Sequence, residues 1–429
     1  MTLSTYMKIF SWDKDPDYVL CYSTKTSAMI LLEKPVLLSV QRGTCSDEER
    51  KTLTQLGFLI SSEQKEKDQM RGFFHAMNKN TSLSHIIIVM NFDCNLACPY
   101  CYEGQMKGNF YMSYETADRI IHYIKRQYID KGKNIHIDFY GGEPLLSFDL
   151  MVYLSKEIRS KAEQAGVEYS STAVNNGTLL TEQRVQKLAA LGLQDAQITI
   201  DGLKEQHNLS RPYKSGKGSF DTIILNLRKA AKYIKIQVVS NYTKKNYHGF
   251  PRILDYLCDK GIAQDTISMV RFVPVTKTAG ISGLSDSRQG CSSMNEPWIF
   301  IASIELREEI MKRGFNTPRL HPAFCMLESK EDIVINYDGT FYKCPGFIGL
   351  KKFNVGDVIH GERKRRELYH LDVWQCEKCL NCPYLPLCFG GCRYRSHINS
   401  YGIGAINCRK PFFDATLEAF VKQEIEYTL

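Results

Sequence analysis

The chain has 429 residues, 43% hydrophobic and 24% charged, with a formal net charge of +8. That length exceeds one ordinary core and predicts two or three domains of a soluble globular protein. Apolar runs are short, as at Ile86–Met90, and Lys8, Asp13, Lys14 and Asp15 interrupt the start, so no membrane span and no secretory leader are expected and a cytoplasmic protein is.

The first 80 residues read as a small recognition module. Tyr18–Tyr22 and Ala28–Leu32 alternate like the arms of a β-hairpin around the polar turn Ser23–Ser27. A helix is expected near Asp47–Leu56, with Ser46 and Glu49 forming a capping box and Gly57 closing it. Phe58–Ile60 reads as a short strand or wing, and the polar Ser61–Gln69 as a linker.

From residue 84 strands and helices alternate. The strand candidates are His85–Met90, Ile135–Tyr140, Tyr169–Val174, Asp195–Ile200, Ile234–Ser240 and Ile267–Val273. Helices are expected at Ser113–Tyr128, Asp149–Ala165, Thr181–Leu191, Ser219–Tyr233 and Gly249–Lys260. Six such units predict an α/β fold, a partial (β/α)6 TIM-like barrel with its site at the C-terminal ends of the strands. A helix at Trp298–Arg313 leads into a cysteine-rich, short-stranded region reaching about residue 410. The expected domains are 1–80, 84–300 and 301–429. The basic run Arg363–Arg366 reads as a solvated helix face rather than a nucleic-acid patch.

Fifteen cysteines are the compositional anomaly. In a reducing compartment, clustered cysteines indicate metal sites rather than disulfides. Cys21, Cys45, Cys258 and Cys291 are scattered and read as small apolar residues. Cys94, Cys98 and Cys101 follow the first barrel strand with C-x3-C-x2-C spacing. Three thiolates suit three irons of a [4Fe–4S] cube and leave the fourth iron open, whereas structural zinc takes four ligands.

This motif, followed by the aromatic Tyr102, resembles the radical SAM superfamily. The resemblance implies that Cys94, Cys98 and Cys101 hold a cluster whose open iron chelates S-adenosyl-L-methionine, and that its reductive cleavage yields a 5′-deoxyadenosyl radical. Tyr102 would flank the adenine, and Gly141-Gly142-Glu143-Pro144 would bind the methionine moiety, with Glu143 near its ammonium group. Asn176, ending the third strand, joins that set. Thr199 and Arg211 match residues that contact the cofactor carboxylate in peptide-modifying members, and His207 and Gly216–Phe220 continue that pattern. No catalytic acid or base is singled out.

The eight cysteines from Cys325 to Cys408 resemble the SPASM extension, which carries two auxiliary [4Fe–4S] clusters and so implies three in all. Cys379, Cys382, Cys388 and Cys408 would hold one, and Cys325, Cys344 and Cys392 three corners of the other. Its fourth corner is Cys376, Cys291 or an open iron; a zinc ribbon is the alternative for the whole group. The N-terminal module resembles the winged-helix-like leader-recognition domain of enzymes that mature ribosomally made peptides. The implied partners are a precursor peptide with a leader and an electron donor such as a flavodoxin or ferredoxin, with neither membrane nor nucleic acid expected. The expected reaction crosslinks peptide residues, by a thioether foremost or a carbon–carbon bond. Formylglycine formation in sulfatases is the alternative, disfavoured because Pro345 stands where that branch places an acidic residue. A non-catalytic iron–sulfur or zinc protein binding nucleic acid is the third reading.

Overall fold

The computed structural model describes all residues except Gln105, Ala263, 277–289, 364–367, Ser400 and Leu429. Most of the basic run Arg363–Arg366 therefore lies outside the described residues. The chain divides into two units: Met1–Asn80 with Arg319–Glu328 and His370–Leu429, and Thr81–Pro318 with Ser329–Tyr369.

In the first unit, β1 (Thr2–Leu3) precedes β2 (Met7–Ser11), β3 (Tyr18–Ser23) and β4 (Met29–Glu33), and β5 (Leu59–Ile60) pairs back with β1. The expected hairpin is β3–β4, and β2 adds a third antiparallel strand to its far side. The capping box forms in full: Ser46 Oγ accepts from the Glu49 N–H at 3.2 Å, and the Ser46 N–H donates to Glu49 Oε2 at 2.8 Å. Cys21 and Cys45 sit in the apolar core beneath.

The linker expected at Ser61–Gln69 is instead part of a helix, Glu63–Arg71, capped by Ser62. Its only buried residues are Glu66 and Met70, so apolar periodicity gives no warning of it. Glu66 is held by the Ser4 hydroxyl at 2.6 Å, the Thr5 N–H at 3.0 Å and Lys25 Nζ at 2.5 Å. Tyr6, Met70 and Phe74 then join Trp374, Leu380, Leu385 and Phe389 in one core, and the Tyr6 hydroxyl donates to the Leu380 carbonyl at 2.9 Å. The N-terminal residues and the cysteine-bearing C-terminal segment are thus one folded body.

In the second unit the six expected strands are present as β6 (Leu83–Val89), β7 (Asn134–Tyr140), β8 (Tyr169–Asn175), β9 (Leu193–Thr199), β10 (Lys235–Tyr242) and β11 (Ile267–Pro274). All neighbours in this series are parallel, in chain order. On its other side β6 pairs with β12 (Ile333–Ile335), and β13 (Thr340–Tyr342), β14 (Gly356–Asp357) and β15 (Gly361–Glu362) extend the array antiparallel. The barrel is therefore partial. Helices Tyr114–Gln127, Phe148–Ala165, Glu182–Ala189, Phe220–Ala230 and Arg252–Asp259 fill the expected crossovers.

Burial alternates along β7. Ile135, Ile137 and Phe139 are fully buried, whereas His136, Asp138 and Tyr140 occupy the opposite, partly open face. Each buried apolar side chain is worth about 1.5–3 kcal/mol, which anchors the sheet and leaves its other face available to polar groups.

Candidate metal centre and cofactor site

The loop after β6 carries Cys94, which is buried, and Cys98 and Cys101, which are half-buried. Two structural ties fix its course. Leu96 bridges Tyr213, and the Ala97 N–H donates to the Pro212 carbonyl at 2.8 Å, so residues 93–98 run beside the segment that follows Arg211. At the start of the loop Asp93 accepts from Tyr111 at 2.7 Å, from the Cys94 N–H at 2.8 Å and from Lys214 at 2.8 Å. Its partial burial opposes charge, but these partners outweigh burial and hold its carboxyl below the usual range.

Burial pushes all three thiols up, while Lys107 works against that shift at each of them and Arg211 does so at Cys98. Lys107 hydrogen-bonds Cys101 and responds to all three; despite its own burial, its pKa is raised. Three convergent thiols beside a lysine fit a cluster bound as thiolates, because the positive charge favours the deprotonated sulfurs. Lys107 carries no motif signal and was not anticipated from the sequence.

The Gly141-Gly142-Glu143-Pro144 segment lies directly against this loop. Gly141 adopts φ +131°, and a side chain there would stand 2.4 Å from the Asn91 carbonyl oxygen. The Gly142 N–H donates to the Asn91 carbonyl at 3.0 Å, and the Glu143 N–H to the Asp93 carbonyl at 2.7 Å. The glycines thus bring two strand-end loops together, a close approach that side chains forbid. Glu143 is fully buried, and its carboxylate accepts the Leu145 N–H at 3.0 Å and the Asn176 N–H at 2.8 Å. Burial raises its pKa to about 7 against the pull of those two amides and of Arg211 and Arg184. Pro144 is buried at the start of the short turn Pro144–Ser147.

Asn176 continues the bracing. Its side chain donates to Asn95 at 2.8 Å and approaches Cys94 Sγ at 3.8 Å, and it accepts from the Thr178 N–H at 2.9 Å. The loops after β6, β7 and β8 are therefore cross-linked through Asn95, Glu143, Asn176 and Thr178. Thr199 is the half-buried last residue of β9. Tyr102 is hydrogen-bonded to Tyr140 and lies 3.5 Å from Glu103, whose carboxyl burial raises to about 7.

Arg211 is 9% exposed and donates to the Tyr100 hydroxyl at 2.6 Å; Tyr100 in turn donates to Asp201, which also accepts the Asn241 N–H at 2.7 Å. Tyr100 lies between Cys98 and Cys101, so this chain of contacts ties the cysteine loop to the ends of β9 and β10. Burial opposes the Arg211 charge, but Cys98, Tyr100 and Asp201 outweigh it, so the guanidinium stays charged. His207 has a structural role. Its Nδ1 accepts the Asp201 N–H at 3.1 Å, which leaves the proton on Nε2 facing Ser219 Oγ at 3.0 Å, and Ser219 donates to the Arg211 carbonyl at 2.6 Å. Burial, with Arg211 nearby, lowers its pKa to about 3. Tyr100 and Asn241 carry no such signal in the sequence, whereas Asp201 belongs to the Thr199-Ile-Asp201-Gly202 segment that ends the fourth strand.

Among the C-terminal cysteines, Cys379 faces Cys376, Cys388 and Cys382, and both Cys382 and Cys388 face Cys408. Burial first, then these mutual repulsions, raise the thiols of Cys379, Cys382 and Cys388, that of Cys379 to about 12. Cys325, an exposed residue, faces Cys392 in the same unit. Cys376 sits beside Cys379. Cys344 belongs to the other unit, near Tyr140 and Tyr369, and Pro345 opens the short turn that follows it. Cys291 is buried on a bridge to Thr276, near Tyr242.

The pattern of the Radical SAM superfamily matches residues 88–257. A cysteine-type anaerobic sulfatase-maturating enzyme of Clostridium novyi is 22% identical, over 74% of this chain and 90% of its own length. An uncharacterized protein of Methanocaldococcus jannaschii is 25% identical, over 64% of this chain and 90% of its own. The solved structure of anSMEcpe with bound AdoMet and the Cp18Cys peptide superposes with a TM-score of 0.62 at 17% identity, covering 80% of this chain and 96% of that one. Streptococcus suis SuiB bound to its precursor peptide SuiA superposes with a TM-score of 0.50 at 15% identity, covering 95% of this chain and 98% of that one.

Proposed function

We propose that this chain, whose residues 88–257 match the Radical SAM superfamily, is a radical SAM enzyme that crosslinks residues of a ribosomally made precursor peptide, with a thioether as the leading product. A [4Fe–4S] cluster on Cys94, Cys98 and Cys101 with bound S-adenosyl-L-methionine supplies the 5′-deoxyadenosyl radical. The chain's residues supply position: Glu143 and Asn176 lock three strand-end loops around the site, and Arg211 is aimed beside Cys98 by Tyr100 and Asp201. A guanidinium held charged in a buried site suits the cofactor carboxylate. The cysteines of the first unit support further iron–sulfur binding, Cys379, Cys382, Cys388 and Cys408 as one ligand set and Cys325 with Cys392 as part of another.

The observation that carries the peptide reading is the N-terminal module. Its three-stranded sheet has β2 and β4 at its edges, and an extended leader can add to such an edge by main-chain hydrogen bonds. SuiB bound to its precursor peptide superposes over 95% of this chain at a TM-score of 0.50, and anSMEcpe over 80% at 0.62; the wider overlap, which the N-terminal module contributes to, and Pro345 support the peptide reading. A second reading, oxidation of a sulfatase cysteine to formylglycine, draws support from the sulfatase-maturating relatives that span about three-quarters of this chain.

Mass spectrometry of a cysteine-containing precursor peptide after anaerobic turnover separates them. Crosslinking removes two hydrogens per ring, and a thioether also blocks the cysteine to alkylation. The same mass loss with a free thiol refutes the thioether version. Formylglycine in a sulfatase peptide, with no change in the precursor, refutes crosslinking altogether.

A further inference from the structure

The partly open face of the barrel sheet carries a group of side chains that the cluster site does not use. His85 on β6 and His136 on β7 are paired in register, and Asp138 pairs with Ile87 two residues further along. Side chains at those positions of parallel neighbours share one face, so all three converge. His85 Nε2 lies 2.7 Å from Asp138 Oδ2, and His136 Nε2 lies 3.4 Å from Asp138 Oδ1. One donor atom from each residue lies within 4.8 Å of the other two.

We propose that His85, His136 and Asp138 form a binding site for a divalent first-row metal ion, separate from the cysteine clusters. Two imidazoles and one carboxylate are a recurrent nitrogen–oxygen donor set for such ions. With ligands about 2.1 Å from a metal, adjacent donors stand roughly 3.0–3.4 Å apart in octahedral or tetrahedral geometry. The observed separations bracket that range, and small side-chain rotations about χ reach it. His136 is held on both sides, its Nδ1 2.8 Å from Ser170 Oγ and its Nε2 3.1 Å from Thr172 Oγ1 and 3.4 Å from Asp138 Oδ1, so a bound ion would take Nε2 from the Thr172 hydroxyl while Ser170 keeps the ring oriented. Arg271 also faces Asp138 electrostatically, but its guanidinium hydrogen-bonds Gln197 and forms no ion pair with the carboxylate among the described residues. The side chains are 19–37% exposed, which gives water or a substrate oxygen access to the remaining coordination positions. Asp138 is two residues before Tyr140, the partner of Tyr102, so the ion would share the face that leads to the cluster loop.

Manganese(II) is the suitable probe, because it favours nitrogen and oxygen donors over thiolates. The reconstituted holoenzyme is titrated with Mn2+ while the six-line signal of the free ion is followed by electron paramagnetic resonance. One equivalent per chain should disappear from the free signal. The near-isosteric D138N should weaken binding at least tenfold, and H85A/H136A should abolish it, with cluster iron unchanged in both as evidence of folding. If the wild type binds no more Mn2+ than H85A/H136A, or D138N binds equally well, the three residues are a hydrogen-bonded triad and the proposal is overturned.

Discussion

Replacing Gly142 with alanine tests how the cofactor site is held together. An added methyl carbon would stand 2.1 Å from the Asp93 carbonyl oxygen, 2.7 Å from its carbon and 3.0 Å from the Phe92 carbonyl carbon. Ordinary contact begins near 3.4 Å, and every atom struck is backbone, so the loop bearing Cys94 has to move by more than an ångström. Overpacking of this kind costs about 1–3 kcal/mol, and losing the Glu143–Asp93 and Gly142–Asn91 hydrogen bonds adds about 1 kcal/mol each. A displacement of about 1 Å in a reacting group is worth on the order of 100-fold in rate. The assay is 5′-deoxyadenosine formed per chain under anaerobic reducing conditions, with iron measured in parallel. G142A should lose on the order of 100-fold in rate. G166A, where a side chain meets nothing within 4 Å, should retain the wild-type rate even though its φ of +69° costs some stability. A wild-type rate in G142A would refute the idea that these glycines exist for loop–loop contact.

Two further outcomes follow from buried charges. Lys107→Met removes a cation that faces all three cysteines of the loop after β6, and after discounting for its partial exposure the loss is about 1–2 kcal/mol, roughly 40–90 mV. A redox titration followed by electron paramagnetic resonance should show a more negative cluster potential; an unchanged or higher one contradicts the assignment. His207, lowered to about 3, refuses a proton that the unfolded chain accepts near pH 6.5, so stability falls as pH drops from about 6.5 towards 3, by at most about 1.4 kcal/mol per pH unit. His207→Asn keeps an acceptor for the Asp201 N–H and should flatten the melting temperature between pH 7 and 5; an identical slope in variant and wild type argues against a neutral buried imidazole.

The barrel strands and the cysteine loop were legible because their signals are local. Near-continuous apolar runs marked β6 to β11, and three cysteines within eight residues marked the loop. What escaped notice depends on long-range pairing. Tyr100 meets Asp201 across 101 positions and Arg211 across 111, and no local pattern announces either contact. The glycines of the segment after β7 were expected to admit a ligand, and they are seen to admit the neighbouring loop. Helix Glu63–Arg71 was hidden because a buried ion-paired glutamate does the work that an apolar stripe does elsewhere. The joint core of Tyr6, Met70 and Phe74 with Trp374 and Phe389 was equally unforeseeable, since its members lie some three hundred residues apart. It also has a practical consequence. Deleting residues 1–80 would unroof the fold that carries Cys379, Cys382 and Cys388, so leader recognition is better probed by competition with a synthetic leader than by truncation.

A single radical-generating centre on the loop after β6 is tested most directly by product analysis. Reconstituted wild-type enzyme is incubated anaerobically with S-adenosyl-L-methionine and a strong reductant, beside a variant carrying Cys94→Ala, Cys98→Ala and Cys101→Ala. The wild type should release 5′-deoxyadenosine and methionine. The variant should release neither while keeping the iron bound by its C-terminal cysteines. Undiminished 5′-deoxyadenosine from the triple variant, or stoichiometric zinc and no cofactor cleavage in the wild type, would contradict the account.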